Sequence, residues 1–200
     1  MAAAFAAGGL IPFATWLLLP ALGAWDFYRG GTMLRPLAVF VLACAAGGAL
    51  AGGALGRNPR WRAAFGTAFV ATLWIPFLML TSLPALSGRE RLIDLLVGFA
   101  PALALSHALL GAFGLVLGGS GWRRACTGAM VFGAAGAGAG VLLALVVRLL
   151  AGLSGAPAFA LSALGGGATC LVPLTVAGWW LARPTATTAR RPPARARCGR

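Results

Sequence analysis

Six long apolar stretches alternate with short polar segments along this chain, at about 4–24, 36–56, 63–84, 92–118, 126–151 and 158–182. Each is near or above the roughly 20 residues a helix needs to cross hydrocarbon. The pattern predicts an all-α fold, a polytopic transmembrane helical bundle with six spans. The connections are short, and the one sizeable remainder is the tail from Arg183. Residues 1–182 therefore read as one integral membrane domain, with no room for a separate soluble one. A secretory signal would begin with positive charge and end at a small-residue cleavage site. Here the first arginine is Arg29, beyond the apolar stretch, and Leu22-Gly23-Ala24 is a poor cleavage site. Residues 4–24 are thus expected to be a retained span.

Composition agrees with this pattern. Hydrophobic residues make up 60% of the 200 and charged residues 10%, against about 25% charged in ordinary soluble domains. The net charge of +13 would suit nucleic acid, but the arginines sit in short loops between apolar spans or in the tail. The lipid bilayer is the partner this placement implies, and no nucleic acid is expected. Sixteen basic residues, all arginine, amid abundant Ala and Gly are what a GC-rich bacterial genome would encode. The location they suggest is a bacterial inner (cytoplasmic) membrane.

Cytoplasmic loops carry an excess of arginine and lysine. Arg57, Arg60 and Arg62 follow the second stretch, Arg123 and Arg124 the fourth, and Arg183, Arg190, Arg191, Arg195, Arg197 and Arg200 the sixth. The other side holds Arg29, Arg35, Arg89, Arg91 and Arg148, together with all three acids, Asp26, Glu90 and Asp94. The asymmetry places both termini in the cytoplasm. Trp61, Trp122, Trp179 and Trp180 fall at that same end of the spans, where an indole suits the interface. The tail 183–200 contains three prolines and no apolar periodicity, and is expected to be a disordered basic cytoplasmic segment. Near an anionic leaflet each arginine contributes on the order of 1 kcal/mol of attraction.

Helices in lipid associate through small residues that let backbones approach. Gly48 and Gly52 stand four apart in the second stretch, Gly136 and Gly140 in the fifth, and Gly114 and Gly118 in the fourth. The first two pairs are candidate contacts to a partner membrane protein or to a second copy of the chain, or to a neighbouring span. Pro12, Pro20, Pro76, Pro101 and Pro173 interrupt spans, and the carbonyl each one frees must find another donor. A repeat is also suggested. LGRNPRWR from Leu55 and LGGSGWRR from Leu117 lie about 61 residues apart, followed by Leu86-Ser87-Gly88 and Leu153-Ser154-Gly155. It would make the bundle a tandem of two-helix units.

Few groups could carry chemistry. His107 is the one histidine and lies near the middle of the fourth stretch. An ionisable residue at that depth is a candidate functional residue because burying its charge is costly. Thr169 and Cys170 of the sixth stretch, and Cys44 of the second, are level with it by depth. His107, Thr169 and Cys170, with Asp94 at the outer end of the fourth stretch, form the candidate ligand-binding set. One histidine without a second histidine or acid at depth makes a poor metal or haem site, and no Cys-x-x-Cys pair is present. No metal and no other cofactor is expected.

Gly152, Leu153, Ser154 and Gly155 spell G-x-S-G. This short stretch resembles the surroundings of the catalytic serine in rhomboid-type intramembrane proteases. The resemblance implies Ser154 as nucleophile and a downstream histidine as base, but no histidine follows residue 107 and the chain has no lysine. A serine without an adjacent base is a weak nucleophile, and Ser-Gly equally suits a turn. The chain is therefore expected not to be an enzyme. Its first functional reading is a small membrane protein that binds or moves a small solute, or is the membrane subunit of a transporter. A membrane scaffold or assembly partner is the alternative, and an intramembrane protease stands third.

Overall fold

The computed structural model describes residues 1–18, 34–73, 91–150 and 156–183, with the side chains of 34–36, 150, 156–166 and 170 excepted. These residues are all-helical. They form α1 (Ala2–Leu18), α2 (Leu34–Gly53), α3 (Pro59–Thr72), α4 (Leu92–Leu117), α5 (Trp122–Leu150) and α6 (Ala156–Leu181). Two of these helices, α4 and α5, are long and apolar enough to cross a membrane. As described, α1 and α3 have 17 and 14 residues, short of the roughly 20 a span requires. The apolar residues that would extend them, 19–24 and 74–84, lie outside the described residues, as does the tail from residue 184.

α3 and α5 each begin about a turn before their apolar runs, and at α3 a cap sets the start. Asn58 accepts the Arg60 N–H at 2.9 Å, and Pro59 occupies the first turn, where its missing N–H costs nothing. α4 stops in a Schellman turn. Ser120 N–H reaches Leu115 O at 2.8 Å and Gly119 N–H reaches Val116 O at 2.9 Å. The turn needs a positive φ, and Gly119 supplies it at 89°. Arg60 Nε then donates to the exposed Leu117 carbonyl at 2.9 Å, so the first turn of α3 caps α4.

The helices contact in the order α1–α2–α3–α4–α5–α6, and α6 returns to α1. Alternate helices fill the centre of this ring. Phe5 of α1 meets Phe65 of α3 edge-on at 5.4 Å between centroids and Phe132 of α5 at 6.4 Å. Such edge-to-face pairs add about 0.5–1.5 kcal/mol beyond burial. The rings from α3 and α5 fit because α4 is notched beneath them. Gly111 lies under Phe132, Gly114 under Phe65 and Gly118 under Trp61, so a methyl at any of the three would strike a ring.

The paired glycines of the sequence are engaged inside the chain. Gly48 and Gly52 lie against the α3 backbone at Phe65–Gly66 and Trp61–Arg62. Gly136 lies against Leu103 and His107 of α4, and Gly140 against Phe99 and Ala100. Each of these four close approaches is thus taken up by a helix of the same chain. In α2/α3 the glycines belong to the first helix of the pair, whereas in α4/α5 these close approaches come from the second. The two Trp-Arg segments also differ. Trp61 packs on Phe65 at 6.3 Å, while Trp122, opening α5, is 76% exposed. A simple tandem duplication does not describe these contacts; the Leu-Ser-Gly segments lie outside the described residues.

Arg57, Arg60, Arg62, Arg123, Arg124 and Arg183 gather at one end of the ring, with Met1 and the C-terminus of α6. Asp94, Arg91 and Arg148 lie at the other end.

Two glycines of one helix separate packing from propensity. A Cβ at Gly140 would press on the Ala100 backbone, whereas one at Gly138 meets nothing within 4 Å. Gly140→Ala is expected to lose about 1–3 kcal/mol to overpacking. Gly138→Ala should be neutral or gain up to about 1 kcal/mol from helix propensity. Denaturant titration of both variants in detergent micelles checks the contrast.

Candidate functional site

Buried positions recur along one stripe of α4: Leu95, Phe99, Leu103, Ser106, His107, Leu110, Gly111, Gly114 and Leu115. The spacing of three and four is that of one helix face. Leu95, Phe99 and Leu103 join Leu143, Ala144 and Val147 of α5 in one apolar cluster. Leu110 and Leu115 join the phenylalanine-rich cluster toward the arginine end. Ser106 and His107 lie between the two clusters. Among the described residues the buried polar side chains are these two with Thr72 and Thr169.

Thr72 and Ser106 tie α3 to α4. Thr72 is the last residue of α3, so its carbonyl is one of those that a helix end leaves without a helical donor. The Ser106 hydroxyl donates to that carbonyl at 2.7 Å. The Thr72 hydroxyl in turn donates to Ala68 O at 2.7 Å. Both hydroxyls are thereby satisfied without water, as burial demands.

His107 is 1% exposed. Its Nδ1 lies 2.8 Å from the Leu103 carbonyl, one turn earlier on the same helix. A carbonyl only accepts, so Nδ1 carries the proton and the neutral ring presents its lone pair at Nε2. Nε2 has no hydrogen-bond partner among the described residues. On the other side of the interface stands Gly136, where any Cβ would collide with Cβ and Cγ of the histidine. A glycine here is what lets an imidazole sit between α4 and α5. Pro101 frees the carbonyl of Val97, whose side chain is 67% exposed, and not that of Leu103.

The other sequence candidates are dispersed. Asp94 is exposed, in the first turn of α4, thirteen positions before His107 and hence about 20 Å along the helix. There it complements the positive end of the helix dipole, and it does not share a site with His107. Thr169 is buried on α6, and Pro173 removes the helical donor to its carbonyl. Cys170 continues that helix, but its side chain lies outside the described residues. Cys44 is buried on α2. Ser154 also lies outside them. No group of three His, Cys, Asp or Glu side chains able to hold a metal ion occurs among the described residues. The serine and threonine that border His107 escape a search for ionisable groups.

Comparison of the chain with protein-family models, with curated proteins and with solved structures returns no match.

Ser106→Ala removes the donor to a buried carbonyl and should destabilise the chain by about 1–3 kcal/mol, the cost of leaving a buried acceptor unsatisfied. Unfolding titration measures the loss, and an unchanged midpoint would show that the bond contributes nothing.

Proposed function

We propose that the chain is a non-catalytic integral membrane protein with six spans, which binds or moves a small solute, alone or as the membrane subunit of a transporter. His107 carries this reading. A fully buried imidazole with an unused ring nitrogen lies between two apolar clusters, where polar groups are expensive and are kept for function. Its contact residue Gly136 is the midpoint of α5, so the histidine belongs at mid-depth. The length and apolarity of α4 and α5 support insertion, and the six apolar stretches of the sequence support four further crossings. The clustering of arginines at one end supports an orientation with both termini in the cytoplasm of a bacterium.

One observation favours a scaffold as the second reading. Ala134 and Gly138 face outward on α5, and nothing lies within 4 Å of a Cβ at Gly138. Two small residues four apart on an outer face suit contact with another membrane helix.

Two measurements test these readings. A green fluorescent protein fused after Arg200 should fluoresce, and alkaline phosphatase fused there should be inactive; the reverse result inverts the topology. Native mass spectrometry of the protein in mild detergent should show a bound small molecule that is lost in His107→Ala. A stoichiometric second protein unaffected by that substitution would favour the scaffold.

A further inference from the structure

We infer that Nε2 of His107 is the recognition atom for a small uncharged hydrogen-bond donor with an apolar body. The inference rests on the solute-binding reading and narrows it to one chemical class.

The tautomer comes first. The 2.8 Å contact with the Leu103 carbonyl holds the proton on Nδ1, which leaves Nε2 as an acceptor and not a donor. Nε2 is also the ring nitrogen farther from Cβ. The Cβ–Cγ edge packs on Gly136 and the Nδ1 edge faces the helix's own carbonyl, so Nε2 is turned away from both. Because the ring is 1% exposed, that atom ends inside the bundle and not in lipid or water. The neighbouring hydroxyls of Ser106 and Thr72 are already committed to backbone carbonyls. Among these neighbours, Nε2 is the atom left to read a ligand.

Charge then limits what it can read. An anion would face a lone pair, and among the described residues no cation stands near enough to offset its burial. On α5, Arg124 and Arg148 each stand twelve positions from Gly136, about 18 Å along the helix. A cation would meet the mirror problem, since Asp94 is about 20 Å from His107. A buried charge without a partner costs several kcal/mol. A metal ion would need further ligands, and the described residues offer no cluster of them. An uncharged O–H or N–H remains. The apolar clusters on either side, with Leu103 and Leu110 flanking the histidine, call for an apolar body behind that donor.

The single histidine makes the test direct. Full-length protein labelled with [15N]histidine, in lipid nanodiscs, gives one pair of ring nitrogen signals. The spectrum should show a protonated Nδ1 and an unprotonated Nε2; a protonated Nε2 in the neutral ring overturns the inference. Phenol is then added as the probe, with benzene as the isostere lacking a donor and benzoate as the anion. Phenol should shift the Nε2 signal saturably, and benzene and benzoate should not. Phenol binding by equilibrium dialysis should weaken about tenfold in His107→Phe, the loss expected when a buried donor is left unpaired. No Nε2 shift, or an equal shift with benzene, overturns the inference even if the variant misfolds, because both are read on the wild type. A copurified solute retained by His107→Phe, with no phenol shift, would leave the solute-binding reading standing and overturn this site. A saturable phenol shift in a chain that carries no solute would support the site and count against that wider reading.

Discussion

Backbone meets backbone at glycine, and the rest of the packing depends on that approach. In the membrane setting proposed above, leucine gains little from another leucine, so contact area would come from closeness. α2 reaches α3 through Gly48 and Gly52, and α5 reaches α4 through Gly133, Gly136 and Gly140. Gly8 of α1 and Gly47 of α2 make the same approach reciprocally, each with its carbonyl where a Cβ of the other would stand. The Gly8 carbonyl is the one that Pro12 deprives of a helical donor. A Cα–H of the facing glycine is a weak substitute that this geometry makes available. The glycines of α4 itself are seats for the rings of Phe132, Phe65 and Trp61. Closure of the ring and the filling of its centre thus have one origin.

The polar chemistry is mostly local. Hydroxyls inside these helices satisfy themselves on their own backbone, whether buried like Thr72 or exposed like Thr127 and Thr175. Thr15, Thr72, Thr127 and Thr175 each donate to the carbonyl four residues earlier, the usual resort of a hydroxyl inside a helix. Ser106 departs from that habit and donates across to α3, where Thr72, the last residue of the helix, offers a carbonyl without a helical donor. His107 follows the habit with one nitrogen and has a second that the habit cannot serve. A small set of rules accounts for each hydroxyl named here and leaves one acceptor over. That remainder is why the histidine is read as functional and not as structural filling.

Much of the architecture is legible in the chain. Long apolar runs and short polar joints predict helices, and α4 matches its apolar run to within a residue at the C-terminus. α3 and α5 begin about four residues before theirs, because an N-terminal turn can be built from Asn-Pro-Arg or Gly-Trp-Arg as well as from apolar residues. His107 stands out in the sequence by being ionisable at depth. Its surroundings do not, since Ser106, Thr72, Leu103 and Gly136 are ordinary residues until their helices are set side by side. Asp94 was grouped with His107 by charge, and helix rise alone separates them.

The sequence by itself determined the helical class, the apolar stretches, the end at which arginines gather and the identity of the one buried histidine. These follow from local composition and from the 3.6-residue period, which need no knowledge of neighbours. Only the tertiary structure decided which helices adjoin, that Gly48, Gly52, Gly136 and Gly140 are engaged within the chain, and that Trp61 and Trp122 occupy different surroundings. It also decided that Nδ1, and not Nε2, of His107 is bound to the backbone. Those outcomes depend on distances between residues far apart in the chain. A spacing of four glycine positions permits a close approach without naming the surface that makes it.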